Sequence, residues 1–321
     1  MKSLEILANA RVLVTGGCGF IGSRLTQRLV EQERAHVSVL DDLFTGSLSN
    51  LPEGCDFHQG SVTDAALVGR LVKDADYVFH VAARNIIVST IDPRQDYESN
   101  IGGTLNVLLA ARESDVRRVV YASSASVYGN ARYLPINEDD RVDLLTPYAV
   151  SKFAGESYCL AFYERWNVPV SAVRYSNIYG PGQSVKNPYS GVVAKFFDRA
   201  MSGAALIVHG DGHQTRDFTY VDDAVEATLL AATEARAEGE VFNVATGIET
   251  SVNELAEVIL TITAATGRKA THTDRRDIDN IRRRVLNVDK IRKFLHWAPS
   301  HTLEAGLRRT YEWSQQQALG S

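Results

Sequence analysis

The stretch Arg11-Val12-Leu13-Val14-Thr15-Gly16-Gly17-Cys18-Gly19-Phe20-Ile21-Gly22 decides the fold. A β-branched apolar run stops at a cluster of glycines, and residues 23–34 then place apolar side chains three and four apart, the period of a helix. Strand, tight loop and helix in that order begin a parallel βαβ unit. Gly16, Gly19 and Gly22 stand at the first, fourth and seventh positions of the loop. Each spacing meets a physical need: a tight turn, close approach of backbone to a pyrophosphate, and close packing of helix on strand. Free N–H groups and the positive end of the helix dipole then face the anion. Gly16, Gly19, Phe20, Ile21 and Gly22 are the expected cofactor-binding positions here, a purely structural turn being the alternative.

Outward from this unit, short β-branched runs recur at 37–41, 77–82, 118–123 and 170–175, separated by stretches of helical period at 65–72, 100–113 and 148–166. That alternation predicts an α/β fold, a doubly wound parallel sheet with helices on both faces. After Tyr175 a Gly/Pro/Asn-rich loop at 177–190 leads into helical patterns at 191–201, 252–266, 289–295 and 303–316, a smaller α-rich lobe. A regular helix at 222–235 and a strand at 241–245 are expected to rejoin the first sheet, so the lobes interleave. The division expected is a Rossmann domain over 1–178, with 222–245 rejoining it, and a substrate lobe over 179–321.

The 45% of apolar residues over 321 positions suffices for a large core and excludes a disordered chain. Lys plus Arg (34) against Asp plus Glu (39) gives a net charge of −5, no field for a nucleic-acid backbone, so an anionic ligand must be held by local arginines. Three scattered cysteines, Cys18, Cys55 and Cys159, without paired spacing, argue against a disulfide framework and a zinc site. There is no apolar leader at Met1 and no run long enough to cross a membrane. The expectation is a soluble, cytoplasmic protein without metal, nucleic-acid or membrane partners.

Asp41 ends the second strand about twenty residues beyond the glycines, where a carboxylate can accept both adenosine ribose hydroxyls and repel a 2′-phosphate. NAD is therefore expected rather than NADP, with a solvated Asp41-Asp42 turn as the alternative. Asn100, at the start of its predicted helix, is read as a cofactor-binding residue or an N-cap. Tyr148 and Lys152, four apart, share one helix face, and Ser123-Ser124 ends a predicted strand, where ligand sites of open sheets form. Tyr must lose about three pKa units, roughly 4 kcal/mol of preferential phenolate stabilisation, to act as a base near neutrality. Lys152 and a cationic nicotinamide can supply that, and the Ser124 hydroxyl can align a sugar hydroxyl with the phenol.

Taken together, Thr15 to Gly22, Ser124, Tyr148-Ala149-Val150-Ser151-Lys152, Arg174-Tyr175-Ser176-Asn177-Ile178-Tyr179-Gly180-Pro181-Gly182 and Gly210-Asp211-Gly212-His213-Gln214-Thr215-Arg216-Asp217 carry a resemblance. Over essentially its whole length the chain resembles the extended short-chain dehydrogenase/reductase superfamily, in its NAD-dependent nucleotide-sugar epimerase/dehydratase group, and UDP-hexose 4-epimerases within it. The resemblance implies tightly held NAD and a C-terminal nucleotide-sugar lobe. It implies Ser124, Tyr148 and Lys152 as the catalytic triad, Asn177 as a substrate contact, and Arg216 and, across a one-residue shift, Arg276 as diphosphate-binding arginines. Arg282, Arg283 and Arg284 are read as either a solvated face or further phosphate binders. Two positions depart from the family pattern: Ser61, where relatives place an acidic adenine contact, and Cys18, a position often alanine.

The residues after Ser124 bear on the subclass. Similar 4,6-dehydratases place an Asp-Glu pair there and uronate decarboxylases a Glu at the second position, whereas this chain has Ala125-Ser126. A UDP-hexose 4-epimerase is expected, with the decarboxylase or dehydratase reactions, and a non-catalytic NAD-binding sensor or scaffold, as alternatives. No arginine follows Gly182-Gln183-Ser184, Lys186 comes late and Arg84 lies on another loop, so a neutral sugar is expected. A homodimer formed through the helices at 100–113 and 148–166 is implied by the resemblance.

Overall fold

The computed structural model describes residues 5–183, 191–265, 270–275 and 280–319. Along the chain run β1 (Arg11–Thr15), α1 (Phe20–Glu31), β2 (His36–Asp41), β3 (Asp56–Gln59), α2 (Ala65–Lys73) and β4 (Tyr77–His80). Then come α3 (Ile86–Ile91), α4 (Pro93–Asp96), a π turn (Tyr97–Gly102), α5 (Gly103–Arg112), β5 (Arg118–Ser124), α6 (Pro147–Trp166), β6 (Val170–Tyr175) and β7 (Asn177–Tyr179). The remainder holds α7 (Val192–Met201), β8 (Ile207–His209), β9 (Thr215–Arg216), β10 (Phe218–Tyr220), α8 (Val221–Thr233) and β11 (Glu240–Val244). It ends with β12 (Thr250–Ser251), α9 (Val252–Ile262), β13 (Thr271–Thr273), α10 (Asp289–Leu295) and α11 (Leu303–Leu319).

Seven parallel strands form the central sheet in the order β11-β6-β5-β4-β1-β2-β3. β4 and β6 are buried along their whole length, as strands covered on both faces must be, their few polar side chains included. One face packs Leu25 and Leu29 of α1 with Leu229 of α8; the other packs Val72 of α2, Leu108 of α5 and Phe162 of α6. A third cluster, with Phe196 and Phe197 of α7, Leu255 and Ile259 of α9 and Leu307 of α11, is the core of the smaller lobe. β11 pairs in parallel with β6, Val241 opposite Ala172, so the chain returns to the first sheet after building part of the second lobe. Among the described residues, no helix is long and apolar enough to cross a membrane and no side-chain group could hold a metal ion.

The pattern and the structure part at a few places. β3, Asp56-Phe57-His58-Gln59, lacks an apolar run because it is a half-exposed edge strand. β7 forms inside the predicted loop by pairing with β10, Asn177 opposite Phe218; residues 184–190, with Lys186, lie outside the described residues. The helix expected at 100–113 is regular only from Gly103, and Asn100 is not its N-cap but sits in the π turn before it.

Candidate active site

β1 must turn sharply past the loop after β4, and Gly16 permits it: φ is +73°, and a Cβ there would lie 2.7 Å from Ala82 Cα. A Cβ on Gly22 would overlap the Gly16 carbonyl, so α1 can lie this close to its loop only with glycine there. Gly19 caps α1 without a side-chain bond to its first amides, which leaves those N–H groups and the helix dipole to an anion. Beyond them opens a cleft of about 1270 Å³ lined by Gly16, Gly19, Phe20, Ile21, Gly22, Asp41 and Tyr148, among others. The Asp41 carboxylate accepts from Cys18 N (2.9 Å) and Leu43 N (2.8 Å), which aims it at the cleft; burial pushes its pKa up, and these two bonds oppose that shift. A diphosphate cradle and a ribose-facing carboxylate in one long groove fit a dinucleotide lacking a 2′-phosphate. Ser61 stands off the groove wall, whose nearby residues are Gly60 and Val62.

Thr146 caps α6 by accepting from Ala149 N at 3.1 Å, and Pro147 opens its first turn. The helix so started puts Tyr148 and Lys152 on one face. Tyr148 is half-buried and faces the Ser124 side chain at the end of β5. Burial pushes the phenol up to about 12 against the pull of Ser124, with Asp96 adding to the rise. Lys152 is buried, its Nζ 4.7 Å from the centre of the Tyr121 ring; desolvation draws it down to about 8, opposed by the charge of Asp96.

Behind these groups lies polar machinery built on Asn100 and Arg84, already singled out, and on Glu156, which motif reading missed. Asn100 accepts from Arg84 N (2.7 Å) and donates to Arg84 O (3.0 Å), Asp96 Oδ1 (2.6 Å) and Ser151 Oγ (3.1 Å). It is buried and off the cleft lining, so it braces the loop after β4 from behind. Arg84 itself faces the cleft, its guanidinium paired with Asp42 at 2.6 Å and 4.2 Å from the centre of the Phe44 ring. One turn beyond Lys152, Glu156 accepts from Arg174 Nε (2.9 Å) and Nη2 (2.5 Å) and from Ser123 Oγ (2.6 Å). The recurrence of Tyr148, Lys152 and Glu156 every four residues was the signal that could have found this anchor.

The residues expected to touch substrate are more dispersed. Asn177 opens β7, its N–H bonded to Asp217 O at 3.0 Å, and Arg216 in β9 donates to Thr215 O (2.8 Å) and Ile281 O (2.9 Å). Neither lines the large cleft, and Arg276 lies outside the described residues. Arg282 and Arg283 pair at the surface with Asp211 (2.7 Å) and Glu249 (2.6 Å). Arg284 is buried and lines a second cavity of about 220 Å³ with Ser126, Asn130, Leu145, Thr146, Asn280 and Ile281. Ser126 is two residues past Ser124 and Thr146 two before Tyr148, while Tyr148 itself lines the cofactor cleft.

Comparison with known proteins places this arrangement. A UDP-glucose 4-epimerase of Mycolicibacterium smegmatis is 36% identical over 311 residues, covering 94% of this chain and 98% of the relative. A UDP-N-acetyl-alpha-D-glucosaminuronate decarboxylase of Bacillus cytotoxicus is 36% identical over 318 residues, covering 94% and 97%. The crystal structure of UDP-glucose 4-epimerase with UDP-glucose from Thermotoga maritima superposes with a TM-score of 0.91 at 33% identity, over 96% of this chain and 99% of that one. The model of the NAD dependent epimerase/dehydratase family matches residues 12–245, the span from β1 to the strand that closes the sheet, and the chain belongs to that family.

Proposed function

We propose that the protein interconverts the C4 epimers of a UDP-hexose, glucose and galactose or their N-acetylamino counterparts, with NAD held throughout. The observation that carries this reading is Tyr148 on the wall of the cofactor cleft facing Ser124, Lys152 one turn along its helix, with no carboxylate at Ala125-Ser126. In this reading the phenolate of Tyr148 takes the proton of the sugar 4-hydroxyl, while the Ser124 hydroxyl bridges the two oxygens and keeps them aligned. NAD⁺, held by the glycine loop and Asp41, would supply the hydride acceptor at C4. The Lys152 ammonium stabilises the phenolate, and Tyr148 returns the proton once the 4-keto sugar has presented its other face. An eliminating reaction needs a further acid or base at C5 or C6, and Ser126 is a poor one.

The lobe over 179–321 carries the nucleotide in this proposal, Arg216 and Arg276 gripping the diphosphate and Asn177 the sugar side, so that the hexose turns while its carrier stays. Residues 1–178 with 222–245 carry NAD. We further propose a cytoplasmic homodimer whose contact is made by α5 and α6, where Leu109, Val150, Tyr158 and Trp166 leave apolar surface exposed. One observation favours a second reading: a buried arginine, Arg284, in the cavity lined by Ser126 and Thr146 suits a 6-carboxylate. Incubating the protein with UDP-glucose, UDP-N-acetylglucosamine and UDP-glucuronate and identifying products by NMR separates the two. C4-inverted neutral sugars support the first, preference for the uronate the second, and loss of water or carbon dioxide overturns both.

A further inference from the structure

His80 closes β4, almost wholly buried, and both of its ring nitrogens are engaged. Nδ1 lies 2.7 Å from Thr15 Oγ1 at the end of β1, and Nε2 lies 2.9 Å from Thr104 Oγ1 in α5. The far ends of this chain fix the direction of each bond. The Asn100 carbonyl can only accept, so Thr104 gives it the hydroxyl proton, at 2.6 Å. Thr104 must then accept from the ring, which puts the imidazole proton on Nε2. Nδ1 is left to accept from Thr15, whose Oγ1 accepts in turn from Ala82 N at 3.3 Å. Burial keeps the ring neutral, drawing its pKa down to about 3.

Two branches leave this imidazole. Thr15 precedes Gly16, and Ala82 is the backbone against which Gly16 packs, so one branch ends at the cofactor loop. The other runs through Thr104 to the Asn100 carbonyl in the π turn, and the Asn100 side chain donates to Ser151. The Tyr121 ring packs against the imidazole, centre to centre 5.8 Å, and its hydroxyl donates to the Lys152 carbonyl at 3.2 Å. Ser151 is thus tied to His80 through Thr104 and Asn100, and Lys152 through Tyr121.

We propose that His80 is a positioning residue: the bond from Nε2 to Thr104 sets the π turn and the Ser151–Lys152 segment of α6, and the bond accepted at Nδ1 sets the end of β1 beside the glycine loop. It touches neither cofactor nor sugar. Only the kinetic arm of its test rests on the epimerase reading.

A glutamine amide can replace the Nε2 donor and an asparagine carbonyl the Nδ1 acceptor, so the two variants cut opposite branches. His80→Asn lowers kcat about tenfold with KM for the UDP-sugar unchanged, because a small displacement of reacting groups is costly. His80→Gln keeps kcat within about threefold of the parent but loses NAD faster on dilution. The independent readout is the tyrosinate absorbance of Tyr148 during pH titration of the NAD-bound protein, taken against the same variant carrying Tyr148→Phe. The groups acting on that phenol are Ser124 and Tyr121 from β5 and Asp96 from α4, with Lys152 one turn along α6; all are retained, so an upward midpoint in His80→Asn reports a displaced Tyr148–Lys152 segment. Thr104→Val cuts the same branch without touching β4, gives the same pattern, and decides the matter should His80→Asn not fold. Variants that melt earlier yet titrate and turn over like the parent overturn the proposal. If the parent epimerises no UDP-sugar but the midpoint still moves, the epimerase reading fails and this one stands.

Discussion

Replacing Arg174 by methionine removes the cation from a site where 4% of the arginine and 1% of Glu156 are exposed. The change deletes two bonds to Glu156 (2.9 and 2.5 Å), one to the Tyr128 hydroxyl (2.7 Å) and one to Glu138 O (2.8 Å), and leaves Ser123 as the donor still facing the buried carboxylate. Breaking a buried pair by removing one partner costs about 3–5 kcal/mol, because the remaining charge is stranded out of water. Against a total stability of roughly 5–15 kcal/mol that is a large share. Replacing both members with apolar residues strands nothing, so Arg174→Met/Glu156→Leu should recover about 2 kcal/mol or more of the single-variant loss. Urea denaturation followed by circular dichroism at fixed NAD concentration reads both numbers. Because Glu156 sits one turn beyond Lys152 on α6, the single variant should also lose turnover. A loss below about 1 kcal/mol for Arg174→Met, or a double variant as unstable as the sum of its parts, refutes the reasoning.

Three further outcomes are expected. Tyr148→Phe removes one hydroxyl and should lower turnover at least about a hundredfold with NAD content unchanged, measured by product NMR and by cofactor release on denaturation. Asp41→Asn should weaken NAD binding by about 1.5–3 kcal/mol in calorimetry, the range for hydrogen bonds to a charged group, and undiminished affinity removes Asp41 from ribose recognition. His80, neutral in the fold with its pKa drawn down to about 3, disfavours the folded state as pH falls from about 6.5, because the unfolded chain takes up a proton that the native ring refuses. Stability should therefore fall less steeply between pH 6.5 and 4 in His80→Asn than in the parent, and equal slopes in acid denaturation count against a neutral buried His80.

What the sequence disclosed was what local period and spacing encode. The apolar run 11–15, the three glycines and the four-residue step from Tyr148 to Lys152 each have a geometry set within one element, and each stands where the pattern puts it. The π turn at 97–102 escaped because the Asn100 side chain ties it to Arg84 and Ser151, tertiary bonds that no period records. β3 escaped because an edge strand need not be apolar. The burial of Glu156 and His80 escaped for a different reason. A charged or polar side chain in isolation reads as surface, and only the partners brought from β6, β1 and α5 make its burial tolerable.

The return of β11 to the sheet bears on how the chain is made. A ribosome releases residues in order, and many domains finish folding as soon as their last residue is out. Here β6, buried along all six residues, has β5 on one side and an open edge on the other until β11 follows it through the exit tunnel. The nascent first domain must hold an apolar, unpaired strand while much of its companion lobe is still being translated, the situation that invites association between neighbouring chains on a polysome. A stop codon between β6 and β11 therefore yields no dinucleotide-binding fragment but an aggregating one, and codons over 176–240 set how long the full-length chain stays in that condition.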